Sequence, residues 1–334
     1  MLRHTALLLL AAALVACGRD SAPAGEDAAE SRIASPAEFV SGDSIRILEE
    51  LAWLSADGRA GRRAGSPEGA QARDYIVQSL ERDGVPQADS TRLQEFPLRT
   101  RSDTTGALTG VNILAAIPGR ERTDEYIVLT AHYDHVGVRE DQIFNGADDN
   151  ASGTVAVMAM ARYLNRNPLR HSVLVGIVDA EEMGLQGARA FLEQPPVPLR
   201  SMVLNVNLDM VSRSDSLLFV SGTHHYPRLR PILEAVEPSP PVVLRLGHDR
   251  PDLDGEDDWT FSSDHGAFHE RGIPFLYFGV EDHEDYHRPT DDFERVDPGF
   301  YLASIRTILD ALIRLDSELG SLPAGGEEPG RSGT

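Results

Sequence analysis

Hydrophobic and polar positions alternate along the chain in two different rhythms. Four runs are short, β-rich and continuously apolar: Tyr126 to Ala131, Ser172 to Ala180, Met202 to Leu208 and Pro274 to Gly279. Each reads as a buried strand. Arg92 to Leu98 and Gly110 to Ile117 also read as strands, the second closed by Pro118-Gly119, and Leu217 to Val220 as an edge strand. Helical spacing appears in Asp43 to Leu54, through Ile45, Leu48, Leu51 and Ala52, with Ser41 and Asp43 as candidate caps. It recurs in Gln71 to Arg82, in a segment ending near Glu193, in Pro227 to Val236 and in Phe300 to Leu319. Ala151 to Leu164 is different. It is long enough for a helix and apolar on nearly every face, so it belongs inside a core.

The polar residues that interrupt these runs are unusual. The first run stops on His132, Asp134 and His135, and the core helix is preceded directly by Asp148, Asp149 and Asn150. The second run ends on Glu181-Glu182, the third on Asp209, and the fourth is followed after a short loop by Tyr286-His287. Taken singly, His132 reads as a hydrogen-bonded core histidine, the acids as helix caps and His287 as a surface residue. Together they gather imidazoles and carboxylates where buried strands end, the rim at which open α/β sheets hold ligands. Buried charges there need a partner, and a divalent cation supplies one. Asp134, two residues beyond His132, is placed to orient the imidazole.

Composition narrows the chemistry. The 334 residues are 41% hydrophobic, ample for one large α/β domain or two small ones. A net charge of −22 argues against nucleic-acid binding and leaves carboxylates free for metal. Every Lys or Arg is an Arg, which removes Schiff-base, P-loop and Ser-Lys chemistry. The single Cys, Cys17, rules out disulfides within the chain and Cys-rich zinc sites, and no Gly-x-Ser-x-Gly elbow is present. The donors that remain are oxygen and nitrogen, a set suited to zinc, with cobalt or manganese as substitutes. Two histidines and several carboxylates exceed the needs of one tetrahedral ion and suit two ions sharing a bridge.

The ends read differently from the middle. Residues 1–17 have the charge-then-apolar layout of a secretory signal, too short to span a bilayer. Leu14-Val15-Ala16-Cys17 resembles a bacterial lipobox, so Cys17 is expected to be acylated and to hold the protein on the cell envelope, facing periplasm or exterior. Residues 18–38 read as a flexible tether, 39–319 as a catalytic domain and 320–334 as a disordered tail. Asp252 to Asp258 reads as an acidic, solvated loop.

Six motifs in order carry a resemblance: Ala-His-Tyr-Asp-His-Val-Gly (131–137), Gly-Ala-Asp-Asp-Asn-Ala-Ser-Gly (146–153), Ala-Glu-Glu-Met-Gly-Leu-Gln-Gly (180–187), Asn-Leu-Asp-Met-Val (207–211), Ser-Asp-His (263–265) and Tyr-His-Arg-Pro-Thr-Asp (286–291). From about residue 40 to 316 the chain resembles the M28 zinc aminopeptidases of the co-catalytic bacterial leucyl type. The resemblance implies a three-layer αβα sandwich around a mixed, mostly parallel sheet. It implies two zinc ions, one held by His132 and Asp209, the other by Glu182 and His287, with Asp149 rather than Asp148 as the bridge. Glu181 would be the general base, Asp134 would orient His132, and Tyr286 would help polarise the scissile carbonyl. His224, His225, His265 and His269 would lie on the surface or behind the site. The implied reaction is removal of N-terminal residues from peptides with a free N-terminus, and a cis peptide is implied between Asp149 and Asn150. Glutaminyl-peptide cyclotransferase, aminoacylase or carboxypeptidase chemistry, and a non-catalytic receptor-type module, are the competing readings on the same scaffold.

Overall fold

The computed structural model describes residues 34–100, 108–250 and 257–319. The lipobox, most of the tether and of the acidic loop, and the tail lie outside them. In chain order the helices and strands are α1 (Pro36–Leu54), α2 (Pro67–Arg82), β1 (Leu93–Pro97), β2 (Thr109–Ile117), β3 (Arg122–His132), β4 (Gly137–Arg139), β5 (Gln142–Phe144), α3 (Gly153–Arg166), β6 (His171–Val178), α4 (Gln186–Glu193), β7 (Met202–Leu208), β8 (Leu217–Ser221), α5 (Arg230–Glu234), β9 (Val243–Leu246), α6 (His265–Glu270), β10 (Phe275–Gly279) and α7 (Pro298–Leu319).

Eight strands form one sheet in the order β1-β2-β6-β3-β7-β10-β8-β9. The inner four, β6, β3, β7 and β10, are mutually parallel, while β1, β2 and β8 join antiparallel to their inward neighbours and β9 runs parallel to β8. Alternation along β3 assigns the faces. Ile127, Leu129 and Ala131 enter the large core shared with α1, α2, α3 and α7, whereas Val128 packs with Leu174, Phe191 and Phe268 on the side of α4 and α6. The result is the expected αβα sandwich around a mixed, mostly parallel sheet. Every residue of α3 from Gly153 to Leu164 is buried, as a helix apolar on nearly every face requires.

The chain leaves β3 for β6 on one side, then crosses to β7 on the other. That reversal opens a crevice at the carboxyl ends of the central strands, the general ligand position in open α/β sheets. All four inner strands point their carboxyl ends there.

Several boundaries differ from the sequence reading. α1 begins at Pro36, seven residues before Asp43, because Ser35 and Glu38 form a capping box with Pro36 at the first position. Ser41 and Asp43 therefore lie inside the helix, and residues 36–38 belong to it rather than to a tether. Leu217–Ser221 is not the edge; β9 covers it. The stretch from Pro227 is a 3₁₀ turn, Pro227–Leu229, followed by the short α5 rather than one helix. The β4/β5 hairpin falls in a segment that reads as a variable loop, and α6 has too little periodicity to be read from sequence.

Candidate metal centre

β3 and β6 run level, with His132 opposite Val178, so the residues that leave these two strands meet at one height. β6 continues into Asp179-Ala180, and Ala180 takes a left-handed backbone (φ 57°) that turns Glu181 and Glu182 across the rim. Met210 does the same after Asp209 (φ 56°), and His287 is itself left-handed (φ 52°). Left-handed non-glycine residues concentrate at functional sites, where the surroundings hold them. Between Gly146 and α3, the segment Ala147–Ser152 makes a wide turn in which Asp149 and Asn150 leave helical geometry and share a cis peptide.

This turn is held from both sides. The Asp148 and Asp149 amides donate to the Asp291 carboxylate at 3.0 and 3.1 Å. Arg62, fully buried, donates to the carbonyls of Leu54, Tyr133, Asn145 and Gly146 at 2.5–3.0 Å, clamping the exit of β3 to the start of the turn. Burial pulls the Arg62 guanidinium down to about 10, against the opposing pull of Asp291, Asp149, Asp134 and Glu182. In sequence, Arg62 reads only as part of a turn-rich loop, and Asp291 only as the end of a motif. Their roles rest on contacts with segments far along the chain, and no local pattern marks them.

Two donor groups converge. In the first, His132 Nε2 lies 3.4 Å from Asp149 Oδ1 and 3.4 Å from Asp209 Oδ1. Donors about 2.0–2.2 Å from a tetrahedral zinc stand roughly 3.3–3.5 Å from one another, so the spacing is that of co-ligands. In the second, Asp149 Oδ2 and Glu182 Oε1 face His287 Nε2 at 3.0 and 3.3 Å, and His135 Nδ1 at 3.7 and 2.7 Å. Asp149 thus offers one oxygen to each group. His132 Nε2, Asp209 Oδ1, His135 Nδ1 and Glu182 Oε1 are all buried without a hydrogen-bond partner. Buried donors left unpaired are costly, and a cation between them removes the cost. The residues present fit the binding of divalent cations.

Asp148 does not join them. Its carboxylate accepts from the Ser212 amide and hydroxyl at 2.7 and 2.8 Å and meets His283 Nε2 at 3.1 Å. Asp134 approaches His132 in two ways: its carbonyl is 3.1 Å from Nδ1 and its carboxylate 3.6 Å, while that carboxylate also accepts from the Glu181 amide at 3.0 Å. Glu181 Oε2 stands 4.0 Å from His132 Nε2. Tyr286 is half-buried and stacks on His287, the rings 4.1 Å apart. His265 is not at the surface: it is fully buried, its Nε2 donating to Trp259 O at 2.8 Å beside Phe275 and Tyr277. His225 and His269 pair with Thr260 and Tyr226 away from the centre, and His224 is exposed.

The electrostatics follow the packing. Burial alone would lower His132, but Asp209, Glu181 and Asp134 raise it well above its ordinary value. Burial pushes Glu181 well up, with Asp264, Asp209 and Asp134 adding to it against His132. Glu182 goes the other way: burial is outweighed by the His135 and His287 imidazoles, which hold it well below the usual carboxylate range. Beside the two groups opens a cleft of about 430 Å³, walled by Trp259, Tyr277, Val280 and Tyr286, with Asp257 and Asp282 also lining it.

The sequence pattern of Peptidase family M28 matches residues 112–312, a span that holds every residue of both donor groups. The chain belongs to this family. Its M28 domain is similar to aminopeptidase YwaD of Bacillus subtilis (strain 168), 30% identical over 220 residues that cover 62% of this chain and 44% of YwaD. The chain spans half or less of the length of such curated relatives. In fold it is similar to BSAP, a zinc aminopeptidase from Bacillus subtilis, with a TM-score of 0.64 at 18% identity over 80% of this chain and 94% of that one. It is equally similar to Bacteroides thetaiotaomicron glutaminyl cyclase bound to N-acetylhistamine, with a TM-score of 0.63 at 16% identity over 81% and 97% of the two chains.

Proposed function

We propose that the M28 domain is an aminopeptidase that removes N-terminal residues from peptides with the help of two zinc ions. The observation that carries this reading is Asp149: its two oxygens face two separate nitrogen and carboxylate groups, 3.4 Å from His132 and 3.0 Å from His287. One ion would be held by His132, Asp209 and Asp149, the other by Asp149, Glu182 and His287. Bound there, the pair would polarise a peptide carbonyl and bring the pKa of an attacking water toward neutrality.

The chain's own groups do the rest. Glu181 lines the cleft but belongs to neither donor group, so its carboxylate is free to take the water's proton and pass it to the departing amine. Asp134 fixes the His132 ring through Nδ1 and, through the Glu181 amide, fixes the backbone that carries the base. Tyr286, on the cleft wall beside His287, would donate to the scissile carbonyl as its oxygen gains charge. A cleft rich in carboxylates favours the α-ammonium of a free N-terminus.

The test is product release from three peptide sets: free, N-acetylated and bearing N-terminal Gln, each with and without chelator. Chelator-sensitive release of free amino acid from the unblocked set alone is expected. Release of ammonia from the Gln set, with no amino acid, would instead support a glutaminyl cyclase. Release from N-acetylated peptides would replace the aminopeptidase with an aminoacylase or carboxypeptidase.

A further inference from the structure

We propose that His135 is itself a ligand of the second cation, so that this position is held by His135, Asp149, Glu182 and His287. The inference rests on the two-metal reading above and adds a donor to it. His135 sits on the loop that leaves β3, three residues beyond His132, with a side chain fully withdrawn from solvent.

Its Nδ1 lies 2.7 Å from Glu182 Oε1 and 3.7 Å from Asp149 Oδ2. These are the same two oxygen atoms that face His287 Nε2, at 3.3 and 3.0 Å. Two imidazole nitrogens from separate segments therefore face the same two carboxylate oxygens. The approach to Glu182 has the length of a hydrogen bond but not its direction, since neither His135 Nδ1 nor Glu182 Oε1 has a hydrogen-bond partner. An unpartnered imidazole nitrogen close to two carboxylate oxygens that also face a second imidazole is placed to share a cation with them.

The place for the ring is built into the chain. Gly146 has a left-handed backbone (φ 58°), and a Cβ there would fall 2.4 Å from His135 Cγ and 2.0 Å from Asp149 O. Any larger residue would displace the ring and the turn that carries Asp149 together. His135 and His287 also differ in kind. His135 is enclosed, whereas the His287 side chain is 41% exposed, on a loop. The second position would then have a fixed imidazole at its back and an exposed one at its mouth. The first position, with a single imidazole, would keep more room for substrate.

The experiment uses the full chain, stripped of metal, labelled with ¹⁵N-histidine and loaded with ¹¹³Cd. Nitrogen–cadmium coupling then counts the bound imidazoles without any assay of activity. Three coupled imidazoles are expected in the unmodified protein, one of them lost in His135→Asn and one in His287→Asn. Two coupled imidazoles, removed by His132→Asn and His287→Asn, would overturn the inference while leaving the two-metal centre intact. Failure to bind cadmium at all would overturn both. The count in the unmodified protein decides the number, so the result stands even where a variant does not fold.

Discussion

Glu181 and Glu182 are neighbours in sequence, yet their carboxylates face different partners. Glu182 is held by two imidazoles, and Glu181 stands at the cleft. Glu181→Gln keeps size and polarity but accepts no proton, so turnover should fall by roughly 10²–10⁴ with zinc content unchanged. Glu182→Gln should bind about one ion fewer and recover in part with excess zinc. Metal analysis and turnover on both variants decide this; metal lost from Glu181→Gln and kept by Glu182→Gln would exchange the two roles. His132, Asp149, Glu182, Asp209 and His287, which the fold brings to one rim, stand out in the sequence because each sits in a short motif near an apolar run. Three others do not. Arg62 acts on Tyr133, 71 positions away, and Asp291 on Asp148, 143 positions away. His135 falls in a quoted motif, but its nitrogen gains meaning only once β6 has brought Glu182 beside it.

Elements were legible in proportion to their length and burial. The four inner strands and α3 carry long, mostly apolar stretches, and a run of that kind belongs in a core. The β4/β5 hairpin has three residues per strand, β9 has four and α6 has six, too few for either period to register. The start of α1 was misread because its capping box sits on a stretch that looks like linker. What joins α1, α2 and α3 was also invisible: Arg162, fully buried in α3, meets Asp43 and Glu50 of α1 at 2.6 and 3.3 Å, and Asp83 just beyond α2 at 3.2 Å. Arg162→Met would leave the buried Glu50 and Asp83 sharing Arg46 alone, and the destabilisation, bounded by the about 3–5 kcal/mol of a fully broken buried pair, is measurable by urea unfolding. Burial alone would raise Asp83, but Arg46 and Arg162 hold it below its ordinary value. A folded value below the unfolded one, about 3.9, gives stability that is complete above the unfolded value and fades as pH falls through the folded one. The stability gap between the native chain and Asp83→Asn should therefore be constant near neutrality and shrink below about pH 4. A gap that widens in acid would contradict this.

At the scale of the molecule, we propose that Cys17 is acylated and tethers the M28 domain to the cell envelope, since Leu14-Val15-Ala16-Cys17 has the layout of a lipobox. Cys17→Ser should abolish incorporation of labelled lipid, and continued incorporation would refute the anchor. On the two-metal reading, cations bound at the rim would also stabilise the domain. β6 and β7 deliver Glu181, Glu182 and Asp209 to the crevice where the turn before α3 holds Asp149, and without a counter-charge their mutual repulsion opposes the packing of this rim. Ions that bind the folded chain and not the unfolded one stabilise it by about 2.7 kcal/mol per site at a hundredfold excess over Kd. At roughly 2–4 °C per kcal/mol, zinc should raise the thermal midpoint by about 5 °C or more over the chelated protein. Asp149 and Asp148 separate this from simple acid removal. Asp149 faces both donor groups, so Asp149→Asn should erase most of the zinc-dependent gap. Asp148 is fully engaged by Ser212 and His283, so Asp148→Asn should lower both midpoints together and leave the gap unchanged. Calorimetry of the three proteins with zinc and with chelator distinguishes them, and a full gap surviving in Asp149→Asn would remove the shared carboxylate from the centre of the site.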